Sequence, residues 1–117
     1  WQRVRIARAL AQEPTILVLD EPTASLDLGH EMEIFELIRA LTDGGLASVV
    51  VSHQLNLAAR FADHLLLMHQ GRAWADGPPA AVLQVSLLER VFGWPIELRE
   101  VDGAPLVVPL RRPHHPS

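Results

Sequence analysis

Two largely apolar runs predict two buried strands. Residues 16–19 read ILVL and residues 47–51 read ASVVV. In a strand with one solvent-exposed face, apolar and polar residues alternate. A parallel-sheet strand covered by helices on both faces is apolar throughout. Between the runs, apolar residues recur at helical spacing over 28–41, with Asp27 as the predicted N-cap and Gly44-Gly45 at the end. A strand, a helix and a strand in this order predict a βαβ unit, and so an α/β fold with a parallel strand pair.

The amino-terminal residues 1–12 predict a helix that ends before Pro14. Its apolar stripe, on the basis of spacing, consists of Val4, Ala7, Leu10 and Ala11. Arginines and a glutamine occupy the opposite side. Three arginines on one short helix also raise the alternative of a nucleic-acid patch, although a solvated or ion-paired face is the commoner arrangement.

The carboxyl-terminal part of the chain predicts short elements joined by strong turn signals. A helix over 54–63 is followed by a hairpin about Gln70-Gly71, and Gly77-Pro78-Pro79 breaks the chain. Beyond the break we expect two short helical turns over 80–92, which pack Val82, Leu83, Leu87, Leu88 and Phe92. A second hairpin follows about Asp102-Gly103, and residues 111–117 form a polar, proline-rich tail.

Composition narrows the classes of function. The chain has 117 residues, enough for one domain at most, and a formal net charge of -4, which gives no global signature of nucleic-acid binding. It contains no cysteine, so disulfides and thiolate metal sites are excluded. All 10 basic residues are arginine, and the chain therefore lacks the lysine of a phosphate-binding G-x-x-x-x-G-K-[ST] loop.

Polar side chains follow both predicted strands. Asp20 and Glu21 end the first strand, and His53 comes shortly after the second. Neighbouring parallel strands finish at one edge of the sheet, where α/β proteins hold their ligands, so we expect these side chains to lie close together. One carboxylate could hold a hydrated Mg²⁺ and the other could face a nucleophilic water beside a γ-phosphate. The simpler alternatives are an acid that caps the next turn and a surface histidine.

The stretch ILVLDEPTASLD (residues 16–27) resembles the Walker B strand and D-loop of ATP-binding cassette (ABC) ATPases. The resemblance implies ATP and Mg²⁺ as cofactors, with Asp20 holding the metal through water and Glu21 acting as the general base. It also implies that Ser25, Leu26 and Asp27 form the D-loop and that His53 is the switch histidine. The fold implied is the carboxyl-terminal half of a P-loop NTPase domain: a parallel sheet core, flanking helices and a terminal β-hairpin.

The segment QRVRIARAL (residues 2–10) is similar to the one that follows the L-S-G-G-[EQ] signature in these ATPases. We therefore expect the chain to be the carboxyl half of a nucleotide-binding domain, without lysine loop or signature, and inactive by itself. On this view residues 1–85 belong to the ATPase domain, 86–110 form an extension and 111–117 form a disordered tail. A half-domain is also expected to expose apolar strand and helix surfaces.

Residues 55–83 look like the ATPases of importers for iron-siderophore, haem or cobalamin. That resemblance implies a homodimer of ATPase subunits on the inner face of the cell membrane, bound to transmembrane permease subunits and served indirectly by a periplasmic binding protein. It implies a cytoplasmic location and no nucleic-acid partner. Two alternatives stay open: a non-transport ABC ATPase acting on DNA or ribosomes, and an inactive regulatory half-domain. Gln54, where an acid commonly follows the switch histidine, departs from the family pattern.

Overall fold

The order of helices and strands follows the predicted alternation. A computed structural model describes residues 2–112, and the chain divides into two compact units, residues 1–54 and residues 55–117. The elements are α1 (Gln2–Leu10), β1 (Ile16–Asp20), α2 (Leu28–Asp43), β2 (Ala47–Val51), α3 (Leu55–Phe61), β3 (Leu65–His69), β4 (Arg72–Gly77), α4 (Pro79–Val82), α5 (Val85–Phe92), β5 (Ile96–Val101) and β6 (Ala104–Pro109).

The first unit contains the predicted βαβ arrangement. Strands β1 and β2 pair in parallel, with Ile16 opposite Ala47 and Asp20 opposite Val51, and α2 connects them. Asp27 caps α2 as predicted: its carboxylate accepts a hydrogen bond from the His30 backbone N–H. The helix ends at Gly44.

Only one face of the β1–β2 pair is buried, and the prediction that both faces are covered is wrong for this chain. Leu17 is 2 % exposed, but Val18 beside it is 65 % exposed and Val49, its cross-strand partner, is 52 % exposed. Leu19 and Val50 pack against the helical core of this unit. Among the described residues of the unit, nothing covers the opposite face of the strand pair. The expectation that the chain exposes apolar strand surface is confirmed.

The core of the first unit joins α1 to α2. Ile6 of α1 packs with Ile34 and Ile38, which lie one helical turn apart on α2. The predicted stripe of α1 is therefore wrong in part: Leu10 packs against this core, while Val4, Ala7 and Ala11 are exposed. A short, alanine-rich helix has several weak apolar stripes, and the one carrying the large Ile6 buries the most surface. The predicted core position Leu28 is also exposed.

Residues 55–112 of the second unit form two β-hairpins and three helices. Strands β3 and β4 pair antiparallel across Gln70-Gly71, and β5 and β6 across Asp102-Gly103. Both turns have positive φ at both central residues, as type I′ turns require, and glycine supplies the second position without strain. These hairpins were predicted and are confirmed.

The core of the second unit is built around α4 and α5. Val82, Leu83 and Leu88 are almost completely buried, as predicted, whereas Phe92 is 41 % exposed. Other members are Ala59, Leu67, Val91, Ile96 and Val107. Asn56 of α3 ties this core to β6, because its side chain donates to the Val107 carbonyl and accepts from the Val107 N–H.

Across residues 2–112 no helix has the length and apolarity needed to cross a membrane. Most of the predicted polar tail, residues 113–117, lies outside the described residues. Arg112, at its start, donates to the Gly93 carbonyl and stacks over the Trp94 ring, with its guanidinium carbon 4.2 Å from the ring centroid.

Candidate functional site at the carboxyl edge of the parallel strands

The parallel register brings the segments that follow β1 and β2 to one edge of the sheet. The last bond of the ladder runs from the Glu21 N–H to the Val51 carbonyl, with an N···O distance of 2.8 Å. The chain then leaves β1 through Pro22 and leaves β2 through Ser52. The residues that the sequence placed at this edge are thus tethered to each other through the backbone.

Glu21 and His53 are neighbours at this edge, as their positions in the sequence predicted. Glu21 Oε1 and His53 Nε2 lie 3.3 Å apart. The imidazole is 95 % exposed and the carboxylate 31 % exposed, so the histidine stands in solvent while the acid is partly enclosed. An ion pair would form whenever His53 is protonated.

One oxygen of Glu21 lacks the partner that burial normally demands. Oε1 is shielded from solvent and has no hydrogen-bond partner among residues 2–112, since the nearby imidazole is not aligned for a hydrogen bond. Buried polar atoms are almost always satisfied, because an orphaned acceptor loses its hydration without compensation. This oxygen is therefore ready to accept a hydrogen bond from a bound water or ligand.

The backbone of Glu21 is strained. Its φ is +48°, in the left-handed region that residues with a Cβ rarely occupy. Because of this conformation, the Glu21 side chain does not continue the alternation of side chains along β1, which Asp20 still follows. Strain of this kind costs of order 1–3 kcal/mol and persists only where the surrounding structure enforces it, which is most often at functional sites.

Asp20 occupies the other side of the same strand end. It is exposed and shares a face of β1 with Ile16 and Val18. No cluster of three or more metal-binding side chains exists in the described part of the chain. A single exposed carboxylate beside a partly enclosed one suits Mg²⁺, which keeps several waters and needs only one or two protein carboxylates besides phosphate oxygens. The residues present therefore fit a hydrated magnesium ion and do not form a chelating cage.

The turn from Pro22 to Leu26 carries the remaining predicted residues. Ser25 is exposed and has a φ of +69°, and Leu26 packs into the core of the first unit. Thr23 lies between Glu21 and Ser25 along the chain and is buried. Its hydroxyl donates a hydrogen bond to Glu31 Oε2 at 3.0 Å. The turn thus presents Ser25 outward while Thr23 and Leu26 anchor it.

Asp27 combines the D-loop position with helix capping. Its Oδ1 accepts from the His30 N–H at 2.9 Å and lies 2.8 Å from His30 Nδ1. These hydrogen bonds, the backbone one above all, lower the pKa of the Asp27 carboxyl below its usual 3.8, since they favour the ionised form. The carboxylate is otherwise exposed, so it can also meet a partner.

Two further histidines, His64 and His69, belong to the second unit. His64 contacts Asp76, and the His69 ring packs edge-on against Phe92 with centroids 5.2 Å apart. His114 and His115 lie outside the described residues. The contacts of His64 and His69 are those of a surface residue and a packing residue.

Sequence reasoning missed the Thr23–Glu31 hydrogen bond and the left-handed conformation of Glu21. A buried threonine after a proline has no periodic signal, and the partner eight positions later belongs to another element. No local feature of the sequence foretells a positive φ at a glutamate.

Comparison with known proteins gives relatives along most of the chain. No protein-family model matches. The hemin import ATP-binding protein HmuV of Rhodococcus jostii is 51% identical over 111 residues, which cover 93% of this chain and 38% of that protein. The protein of the same name from Rhodopseudomonas palustris (strain BisB5) is 44% identical over 117 residues, covering 92% of this chain and 45% of that protein. The chain thus spans less than half the length of these relatives.

Solved structures with the same fold are ATP-binding cassettes. A transporter described as of metal-chelate type, in an inward-facing conformation, matches with a TM-score of 0.81 and 29% identity over 94% of this chain and 46% of that chain. A dimeric cassette in a post-hydrolysis state, bound to ADP and Pi, matches with a TM-score of 0.59 and 37% identity over 66% of this chain and 33% of that chain.

Proposed function

Because this chain belongs to the ABC ATPase family, we propose that it is part of an ATP-binding and ATP-hydrolysing subunit of an importer. The observation that carries the proposal is the placement of Glu21 and His53 at one sheet edge, 3.3 Å apart. In the proposal, residues 1–85 belong to the ATPase domain and 86–110 to its carboxyl extension.

We assign Glu21 as the general base. Its buried oxygen has no hydrogen-bond partner among residues 2–112 and is suited to accept a proton from an attacking water. The partial enclosure limits competition from bulk solvent. The strained backbone at φ +48° supports this assignment, because strain of this kind concentrates where a side chain must be held in one direction.

His53 joins the Glu21 site from the segment that follows the neighbouring strand, β2. Its exposed ring can donate a hydrogen bond to the γ-phosphate or to the water, whichever of its nitrogens carries the proton. Next to Glu21 it also helps to confine the water between an acceptor and a donor. Mg²⁺, when bound, neutralises charge on the phosphates, and Asp20 would hold it through water.

Ser25, Leu26 and Asp27 would form the D-loop that meets a second ATPase subunit. The exposed Ser25 and Asp27 and the anchored Leu26 support this assignment, since the polar members are free to contact a partner. The dimeric cassette with bound ADP among the structural relatives supports a homodimer. Permease subunits in the membrane and, indirectly, a periplasmic binding protein complete the proposed assembly at the inner face of the cell membrane.

Haem is the favoured cargo. Relatives 51% and 44% identical to this chain are named for hemin import, and a structural match with a TM-score of 0.81 is of metal-chelate type. These names favour a haem importer over one for iron-siderophore or cobalamin. They also favour transport over the alternatives of an ATPase acting on DNA or ribosomes and of an inactive regulatory half-domain.

The substitution Glu21→Gln in the complete protein tests the proposal. It keeps the size of the side chain and removes the base, so ATP binding should persist, turnover should be lost and the ATP-bound dimer should accumulate in size-exclusion chromatography. Glu36→Gln, an exposed acid of α2, is the matched control and should turn over normally. Wild-type turnover in the Glu21→Gln protein would reject Glu21 as the base.

Cargo is tested by reconstitution with the permease and binding protein. Haem-loaded binding protein should stimulate ATP turnover in vesicles, and the same protein without haem should stimulate less. Stimulation by an iron-siderophore or cobalamin instead of haem would replace the proposed cargo and leave the ATPase assignment intact.

A further inference from the structure

Thr23 is the polar residue that the first unit buries. It is 4 % exposed, and residues 3–112 contain no other buried polar or charged residue. A buried hydroxyl is costly unless it is hydrogen-bonded. Thr23 satisfies this requirement with a carboxylate outside its own turn, Glu31 in the first turn of α2, at 3.0 Å.

The residues on both sides of Thr23 are held in unfavourable conformations. Glu21 precedes it with φ +48° and Ser25 follows it with φ +69°. Within the turn, the Ala24 N–H donates to the Glu21 carbonyl at 3.2 Å and the Leu26 N–H to the Thr23 carbonyl at 3.1 Å. Both bonds have ordinary lengths, and the Thr23–Glu31 hydrogen bond adds a contact between the turn and α2.

Glu31 is well placed to serve as the anchor. Its backbone N–H is already bonded to the Asp27 carbonyl at 2.9 Å, so its position is fixed by the helix. A negative charge in the first helical turn is favoured by the helix dipole. The side chain is half-buried, and its hydrogen bond with Thr23 is therefore partly shielded from water.

We propose that Thr23 is a positioning residue, and that its hydrogen bond to Glu31 sets both the direction of the Glu21 carboxylate and the placement of Ser25, Leu26 and Asp27. The inference rests on the proposed function, since it concerns the same reaction. It adds that the general base and the dimer-facing loop share one anchor on α2. A change in the position of α2 would therefore move the general base and the dimer-facing loop together.

Thr23→Val in the complete protein tests the anchor, because valine has the shape of threonine and lacks the hydroxyl. We expect kcat to fall roughly 10- to 100-fold, as for a misplaced catalytic group, while the KM for ATP stays within about twofold. Thr23→Ser restores the donor and should bring kcat back to within about threefold of wild type. A merely structural threonine would tolerate valine better than serine.

Glu31→Ala should reproduce the kinetic loss of Thr23→Val. The double variant should be no worse than either single one, because both substitutions remove the same bond. Glu36→Ala, on the same helix, is the control and should leave kcat unchanged. Additive losses in the double variant, or wild-type kcat in Thr23→Val, would overturn the proposal while Glu21→Gln still tests the function separately.

Amide hydrogen exchange gives a readout that does not depend on ATP. Thr23→Val should accelerate exchange at the Ala24 and Leu26 amides, which lie inside the turn, and leave the amides of β2 unchanged. Should the complete protein fail to hydrolyse ATP, this measurement still decides whether Thr23 orders the turn. Unchanged exchange at both amides would contradict the anchor.

Discussion

The Glu21 carboxylate and the His53 imidazole meet 3.3 Å apart although they follow different strands. The parallel register, with Asp20 opposite Val51, produces this proximity, because it makes both strands end at the same level. The paired strands align the two segments, and the turns after the strands provide the carboxylate and the imidazole.

Replacing His53 by alanine should impair turnover without affecting the fold. The ring is 95 % exposed, so its removal takes away little packing and should leave the urea midpoint of unfolding unchanged. In the complete protein, ATP turnover should fall by roughly 100-fold, the range seen when a positioned proton donor is lost. His64→Ala is the control from the second unit. Wild-type turnover in His53→Ala would remove the histidine from the mechanism.

The chain of 117 residues by itself should neither bind ATP tightly nor hydrolyse it. It has no lysine and no loop that could cradle phosphates, and residues at one sheet edge cannot hold a triphosphate alone. Calorimetric titration with Mg-ATP and a phosphate-release assay on the purified chain check this. Measurable turnover by the chain would contradict it.

The exposed face of the β1–β2 pair should make the isolated chain associate. Val18 and Val49 face each other across the two strands and are 65 % and 52 % exposed. Replacing both with threonine, which keeps the branched shape and adds a hydroxyl, should reduce concentration-dependent association in sedimentation velocity. Leu17→Thr, on the buried face, should instead destabilise the fold. Undiminished association in the valine-to-threonine pair would point to another surface.

The Asp27 cap should contribute a pH-dependent part of the stability. Its pKa is lowered in the folded chain, so ionised Asp27 stabilises α2 at pH values above its ordinary 3.8, and this stabilisation is lost as the pH falls through the depressed folded-state pKa. Asp27→Asn keeps a capping oxygen without the titration. The urea midpoint of the wild type should therefore exceed that of Asp27→Asn at about pH 6, and the difference should shrink in more acidic solution. A difference that is constant with pH would contradict this.

The Asn56 side chain should stabilise the second unit through its paired hydrogen bonds with Val107. The bonds measure 2.7 and 3.1 Å and link α3 to the backbone of β6. Asn56→Ala removes both and should cost about 1–2 kcal/mol, because water can replace them only in part at a position close to the surface. Asn56→Asp sets a carboxylate oxygen against the Val107 carbonyl, so it should be at least as destabilising as Asn56→Ala. Faster amide exchange at Val107 in Asn56→Ala, with no change in β2, would locate the effect.

Local sequence signals determined much of the fold. The two hairpins follow from Gln70-Gly71 and Asp102-Gly103, because few dipeptides adopt two consecutive positive φ values. Asp27 before an apolar helix and Gly44 after it mark the bounds of α2. The closeness of Glu21 and His53 was also predictable, since parallel neighbours end at one edge.

Tertiary structure decided which surfaces are buried and how the turn after β1 is held. It selected the Ile6 side of α1 over the Val4 side, because burial depends on the partner that a helix meets and α2 offers Ile34 and Ile38 there. It placed Glu21 in a left-handed conformation and paired Thr23 with Glu31. These features depend on contacts between different elements of the fold, and the residues themselves carry no local preference for them.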